Sequence, residues 1–206
     1  MRCIRHRSVM SLGAVGEVRS GFDMLLSSKR LGGLDIRPSE QDFYHPGGVF
    51  WEALGDIAPH LKWLRLCIPD PIFGVSELIF RHPLDAKRTA LYPVAASKFI
   101  SRCTGLRSLV VFDSGAERIV IILSKLPRSA QLHELQIKMR GLWLGVLEDI
   151  GLELPRWIQE YPCCRKLRVL DVPPFAVETA PSLATVLRAR RVQLRQSIII
   201  HPPSSY

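Results

Sequence analysis

The six histidines and five cysteines are the side chains of this sequence best suited to hold a metal or attack a substrate. Structural zinc sites use ligand pairs about two to four residues apart. The sequence has no Cys-x-x-Cys pair, no His-x-x-x-His pair, no Gly-x-Ser-x-Gly elbow and no Walker-type phosphate loop. We therefore expect no metal site, no cofactor and no catalytic residues, and the chain is predicted not to be an enzyme.

The adjacent cysteines Cys163 and Cys164 leave two interpretations open. They could form a redox pair, or they could be buried at the end of a helix, where cysteine behaves as a small apolar residue. Cys103 stands three residues before a leucine motif, just as Cys164 does. This recurrence favours the structural interpretation.

Positive charge is concentrated at the two ends of the chain. Residues 1–39 carry a net charge of +4, residues 181–206 carry +4, and residues 40–180 carry only +1. Four arginines stand near the C-terminus: Arg188, Arg190, Arg191 and Arg195. They could be a nuclear signal or a phosphate-binding patch, but a solvated face at the end of the last helix is favoured. Binding of nucleic acid or of an acidic surface is therefore the alternative function.

The composition indicates an ordinary folded domain outside the membrane. Hydrophobic residues make up 47% and charged residues 23% of the chain. The longest apolar run, Ile119 to Leu123, is far shorter than the roughly 20 residues that span a bilayer, and no secretory signal is visible. We expect a cytoplasmic or nuclear location, reduced cysteines and no membrane partner.

A leucine motif recurs along the chain and organises it. The pattern Leu-x-x-Leu-x-(Leu/Ile/Val) occurs five times, where about one match is expected by chance. Its instances are Leu31/Leu34/Ile36, Leu61/Leu64/Leu66, Leu106/Leu109/Val111, Leu132/Leu135/Ile137 and Leu167/Leu170/Val172. A degenerate sixth instance is predicted to start at Leu194 and to close at Ile199.

Four of these motifs follow an apolar stripe with the spacing of an amphipathic helix. The stripes are Phe50/Ala53/Leu54/Ile57, Ala96/Phe99/Ile100/Cys103, Ile119/Ile122/Leu123/Leu126 and Leu154/Trp157/Ile158/Tyr161. Ser114 and Glu117 have capping-box spacing before the third stripe, and Pro155 and Pro162 bound the fourth. Each unit is therefore predicted to be a helix, a short turn and a short strand.

This alternation predicts an α/β fold: a short right-handed leucine-rich-repeat-like solenoid, with parallel strands on one side and helices on the other. The alternative is a doubly wound α/β domain, which has the same alternation. The regular leucine phasing and the lack of a glycine-rich phosphate loop favour the solenoid. The predicted organisation is a basic, poorly patterned segment over residues 1–20, the repeat domain over 21–200 and a tail over 201–206.

Strand residues that alternate with the inward leucines face away from the helices, and these are the candidate binding residues. The protein-binding residues predicted from this set are Trp63, Arg65, Phe112, Glu134, Gln136, Lys138 and Asp171. Tryptophan and arginine are common interface anchors. Trp143 and Leu144, between two motifs, could form a second partner-binding loop, although filling of the core is favoured.

Two motifs extend upstream to a cysteine, as Cys103-x-x-Leu106-x-x-Leu109-x-Val111 and Cys164-x-x-Leu167-x-x-Leu170-x-Val172. With the phrases CTGLRSLVVFDSG and CRKLRVLDVP, they resemble the divergent repeats of fungal F-box/leucine-rich-repeat proteins. The resemblance covers roughly residues 20–200 and implies a substrate-recognition subunit of a cullin-type ubiquitin ligase. The F-box motif itself is not visible in residues 1–20. We therefore expect a non-catalytic protein-binding module with an unidentified protein partner, no binding to the ligase adaptor and no nucleic-acid partner.

Overall fold

In the part of the chain that the structure describes, seven short strands form one parallel sheet. The computed structural model describes residues 9–12, 32–36, 54–67, 97–112, 116–139, 144–178, 180 and 182–197. The strands are β1 (Val9–Leu12), β2 (Gly33–Ile36), β3 (Trp63–Cys67), β4 (Ser108–Phe112), β5 (Glu134–Lys138), β6 (Val169–Val172) and β7 (Gln193–Gln196). They lie side by side in the order in which they occur along the chain, and each neighbouring pair is parallel.

This strand order bears on the two predicted architectures. Both share the α/β class, and a parallel sheet with intervening helices confirms that class. In a doubly wound sheet the strand order reverses at a switch point. The seven described strands have no such reversal, so their order differs from that of the doubly wound alternative.

Helical segments lie between successive strands from β2 to β7, because parallel neighbours need a crossover connection. The α-helices are α1 (Ala116–Lys125), α2 (Leu144–Glu160), α3 (Pro174–Glu178) and α4 (Leu183–Arg190), and residues 97–101 are also helical. Short 3₁₀ turns occupy Leu54–Asp56, Ala58–His60 and Pro162–Lys166.

The second leucine of each motif stacks on its equivalent in the next strand. The register joins Leu34, Leu64, Leu109, Leu135, Leu170 and Leu194 in one row across the sheet. From β2 to β6 these leucines have no measurable exposure, and the apolar residues two positions later in the same strands are at most 1% exposed. The predicted inward direction of the motif residues is therefore confirmed.

All four predicted helix stripes supply residues to the same core, the first through Leu54 and Ile57. Phe99, Ile100 and Cys103, the four residues of the α1 stripe, and Leu154, Trp157 and Ile158 are all buried in one cluster with the strand leucines. Burial of a large apolar side chain stabilises the fold by about 1.5–3 kcal/mol. The helical and strand periodicities of the sequence therefore converge on one core.

Two helix predictions need correction. The segment before β3 forms two 3₁₀ turns in its described part, although Leu54 and Ile57 are buried as expected. Helix α2 begins at Leu144 and contains Pro155 in its interior, whereas Pro155 was predicted to start it. Burial of the apolar residues on both sides of Pro155 outweighs the cost of its missing N–H. Phe50, Ala53, Ala96 and Ser114 lie outside the described residues.

The two outer strands also differ from the prediction. Strand β1 lies within residues 1–20, where no repeat was expected, and its Met10 pairs with Leu34. The sheet thus begins before residue 21, the predicted start of the repeat domain. At the other end, Leu194 pairs with Leu170, so it is the second leucine of its unit and not the first. Ile199 lies outside the described residues.

Candidate protein-binding face

Strand residues that alternate with the core leucines form the opposite side of the sheet, here called the outer face. Its first row joins Gly33, Trp63, Ser108, Glu134, Val169 and Gln193 across the strands. Its second row joins Asp35, Arg65, Val110, Gln136, Asp171 and Arg195. Phe112 and Lys138 pair in a third. All seven predicted binding residues therefore lie together on β3 to β6. Trp143 lies outside the described residues.

Trp63 packs on its neighbour in the first row. A Cβ atom at Gly33 would come within 3.0 Å of Trp63 Cε3, so the indole ring lies directly against the glycine backbone. Glycine permits this close approach because it has no side chain. The Trp63 ring remains half-buried and presents apolar surface at this end of the outer face.

Arg65 is held by two neighbours. Its Nη1 lies 3.5 Å from Asp35 Oδ2, and its guanidinium carbon lies 4.8 Å from the centre of the Phe112 ring. A guanidinium over an aromatic face gains a cation–π attraction. These contacts fix the planar group of Arg65 while leaving it partly exposed, as an interface anchor requires.

Glu134 is the centre of a polar network on β4, β5 and β7. Its Oε2 accepts a hydrogen bond from Ser108 Oγ at 3.0 Å, and its Oε1 accepts one from Gln136 Nε2 at 2.9 Å. Arg195 Nη1 lies 3.9 Å from Oε1. The carboxylate is thus oriented by two hydrogen-bond donors and one ion-pair contact, and it remains half-buried.

Lys138 and Asp171 form a buried ion pair. Lys138 Nζ donates to Asp171 Oδ2 at 2.6 Å, and Ser197 Oγ donates to the same oxygen at 2.9 Å. Asp171 Oδ1 is buried without a hydrogen-bond partner among the described residues. This pair holds β5 to β6 and offers little surface to a partner.

The seven candidate residues therefore divide into two groups. Phe112, Lys138 and Asp171 are between 5% and 8% exposed, so the open face that the sequence predicts is largely closed at these positions. The half-buried residues are Trp63, Arg65, Glu134 and Gln136. They lie on β3 and β5, and they form the accessible part of the outer face.

Three of the five cysteines are packed inside the core. Cys103, Cys163 and Cys164 are free thiols with at most 1% exposure. Burial raises the pKa of Cys103 to about 12. The Sγ atoms of Cys163 and Cys164 lie 3.9 Å apart, and the hydrogen bond between them lowers the pKa of Cys163 and raises that of Cys164. This burial supports the structural interpretation over an accessible redox pair.

Three of the four C-terminal arginines lie at the end of the last helix. Arg188 and Arg190 occupy the last turn of α4, and Arg191 ends it with a left-handed backbone (φ of 55°). Arg190 donates to the carbonyl of Gln159 at 3.2 Å. Arg195 instead lies on the outer face, so it does not belong to a helical basic face.

Other groups able to do chemistry are sparse in the part of the chain that the structure describes. No cluster of three or more metal-capable side chains is found there. His60 is exposed in a 3₁₀ turn, and half-buried His133 contacts Arg107. None of the described helices is both long and apolar enough to cross a bilayer.

The seven predicted binding residues do not include Ser108, Arg195 and Ser197, whose side chains contact the carboxylates of Glu134 and Asp171. Alternation along the strand does place Ser108 on the same face as Glu134. Ser197 follows β7, so alternation along a strand did not place it.

Comparison with known protein families, curated proteins and solved structures finds no match to this chain.

Proposed function

We propose that this chain is a protein-recognition module of leucine-rich-repeat type, with substrate recognition in ubiquitin ligation as its role. The observation that carries the proposal is the stacking of equivalent leucines, in register, across consecutive parallel strands. Repeats of this kind cannot bury their apolar face alone, and they stack into a solenoid with one continuous sheet. A solenoid of right-handed units with helices on the far side is the architecture proposed here.

The outer face supports binding rather than catalysis as the use of this scaffold. Its accessible residues combine an aromatic ring, a guanidinium held by two neighbours, a carboxylate and an amide. Such side chains, ordered before a partner arrives, lose little conformational freedom on binding. The resemblance of the cysteine-bearing repeats to F-box/leucine-rich-repeat proteins suggests the kind of partner, a protein marked for ubiquitination.

The test compares the partners of two variants of the chain. Trp63→Ala/Gln136→Ala removes the anchors of β3 and β5, and Arg156→Gln on the exposed side of α2 is the control. Proteins captured by wild type and by the control, identified by mass spectrometry, should be lost from the double variant. They should also accumulate when the ubiquitin–proteasome route is inhibited. Partner lists that do not differ between wild type and the double variant would remove the outer face as the recognition surface.

A further inference from the structure

A row of basic residues runs along the edge at which the strands begin. Strands β3, β4, β5 and β6 are each preceded directly by one such residue, namely Lys62, Arg107, His133 and Arg168. Each directly follows the first leucine of its motif. We call these four residues the basic row. The segment 40–180 that contains them has a net charge of only +1. The fold therefore brings together basic residues that lie far apart in the sequence.

Backbone hydrogen bonds fix the spacing of the basic row. The carbonyl of Lys62 accepts the N–H of Arg107 at 2.9 Å, that of Arg107 accepts the N–H of His133 at 2.7 Å, and that of His133 accepts the N–H of Arg168 at 2.9 Å. Successive members are therefore about 4.8 Å apart, the distance between neighbouring strands. The row spans roughly 14 Å in single file.

Within the described residues, no acid forms an ion pair with the cations of the row. Lys62, Arg107 and Arg168 are exposed, and every ion pair recorded among the described residues lies elsewhere. Glu134, the acid next to the row in sequence, is held on the outer face by Ser108 and Gln136.

The protonation of His133 is affected by the neighbouring basic residues. Arg107 Nη1 lies 3.3 Å from His133 Nε2. A guanidinium can only donate, so this imidazole nitrogen must accept and the ring is neutral. Burial lowers the pKa of His133 first, followed by the positive charges of Arg107, Arg168 and Lys166.

The Lys62 ammonium lies against Gly105 of the next unit. A Cβ atom at Gly105 would lie 2.8 Å from Lys62 Nζ and 2.7 Å from the carbonyl oxygen of Pro59. The ammonium thus rests against the glycine that precedes Leu106 and Arg107. Any larger residue at this position would displace it from the row.

We propose that the basic row binds an extended acidic segment of a partner protein. Carboxylates at alternate positions of an extended peptide are about 6.7 Å apart, so three of them span about 13 Å and match the row. Sites for single-stranded nucleic acid combine a positively charged groove with aromatic side chains on which the bases stack, and the row contains no aromatic side chain. The site is separate from the outer face and does not depend on the function proposed for that face.

The test is a titration of the 206-residue chain with a fluorescein-labelled synthetic peptide that has glutamate at alternate positions. Arg107→Gln/Arg168→Gln should weaken binding roughly tenfold, as expected for the loss of two exposed ion pairs. Lys98→Gln/Arg156→Gln removes the same charge from the helices and should change binding less than about twofold. Arg107→Lys/Arg168→Lys, which keeps the charge, should retain most of the affinity and shows whether the glutamine variant has merely lost stability.

Ionic strength and a second ligand complete the test. Binding by wild type should weaken with added sodium chloride, and the dependence should be shallower for Arg107→Gln/Arg168→Gln. The peptide with glutamine in place of glutamate should not bind. An equal loss of affinity in the charge-matched control, or no binding of the acidic peptide at low salt, would refute the proposal. Tighter binding of oligodeoxythymidylate than of the peptide would show that the row is a phosphate-backbone site.

Discussion

Lys138 Nζ lies 2.6 Å from Asp171 Oδ2 across strands β5 and β6, and the two side chains are only 10% and 9% exposed. The residues are 33 positions apart in the sequence. Removing both charges from water is costly, and their attraction offsets that cost only while both are present. Removing the charge of either Lys138 or Asp171 alone is therefore expected to destabilise the fold.

Lys138→Met should lower the free energy of unfolding by about 3 kcal/mol, because among the described residues it leaves the buried Asp171 carboxylate with the Ser197 hydroxyl as its one donor. Lys138→Met/Asp171→Leu should recover most of this loss, since neither charge is then buried. Urea denaturation of wild type and the two variants measures both effects. Equal destabilisation in the single and double variants would mean that the lysine stabilises the fold through its packing and not through its charge.

The strands of the sheet interior could be predicted because one residue type marks them. Each strand from β2 to β6 has an inward leucine at the same position, and this leucine is the second leucine of the motif. Strand β1 does not match the motif, because Arg7 occupies the position of the first leucine and Met10 occupies the position of the second leucine. The last unit was misplaced because Arg191 stands where its first leucine would be.

The sequence predicts which residues lie on the outer face, but it does not predict how exposed each of them is. Alternation along a strand places Asp171 and Lys138 on it, yet their burial depends on contacts between side chains on different strands. The basic row was overlooked for a related reason, because its charges are separated along the chain by whole repeats. Comparison of the residue after each first leucine would have revealed it.

Leu109→Ala should lower the free energy of unfolding by about 3 kcal/mol, because Leu109 is fully buried between Leu64 and Leu135 and its removal leaves a cavity. Gln136→Ala, on the accessible part of the outer face, should cost less than about 1 kcal/mol. Thermal melts with circular dichroism compare the two. Similar losses at both positions would contradict the assignment of the two faces.

Cys103 should make stability depend on alkaline pH. Burial raises the pKa of the folded thiol to about 12, whereas the unfolded thiol titrates near about 8.5. Above that value the unfolded state loses a proton that the folded state keeps, so the thiol's contribution is complete below pH 8.5 or so and declines as the pH rises towards 12.

The measurement is urea denaturation of wild type and Cys103→Ala in the presence of a reductant. Between pH 8 and pH 10.5, wild type should lose roughly 2 kcal/mol more than the variant. Below pH 8 the two should show parallel pH dependence, with a constant offset from the lost packing. Parallel curves over the whole range would indicate that the folded thiol ionises normally.

The C-terminal arginines should bind nucleic acid only weakly. Arg188 and Arg191 are exposed at the end of α4, and the few phosphate contacts available there would be lost at physiological salt. Filter binding with single-stranded DNA at low and physiological salt, with Arg188→Gln/Arg191→Gln for comparison, tests this. Nanomolar affinity at physiological salt, abolished by the substitutions, would establish the alternative function.

This chain should not bind the adaptor of a cullin-type ligase. An F-box docks through helices, but Val9–Leu12 is extended and paired with β2, so these residues cannot join a helical docking motif without leaving the sheet. A pull-down of the 206-residue chain with purified adaptor, and with an F-box protein as positive control, should recover only the control. Capture of the adaptor by the chain would refute the expectation. Met10→Asp, which opposes pairing of β1 with β2, would then show whether release of this strand is required, since it should strengthen capture if the docking motif competes with the sheet.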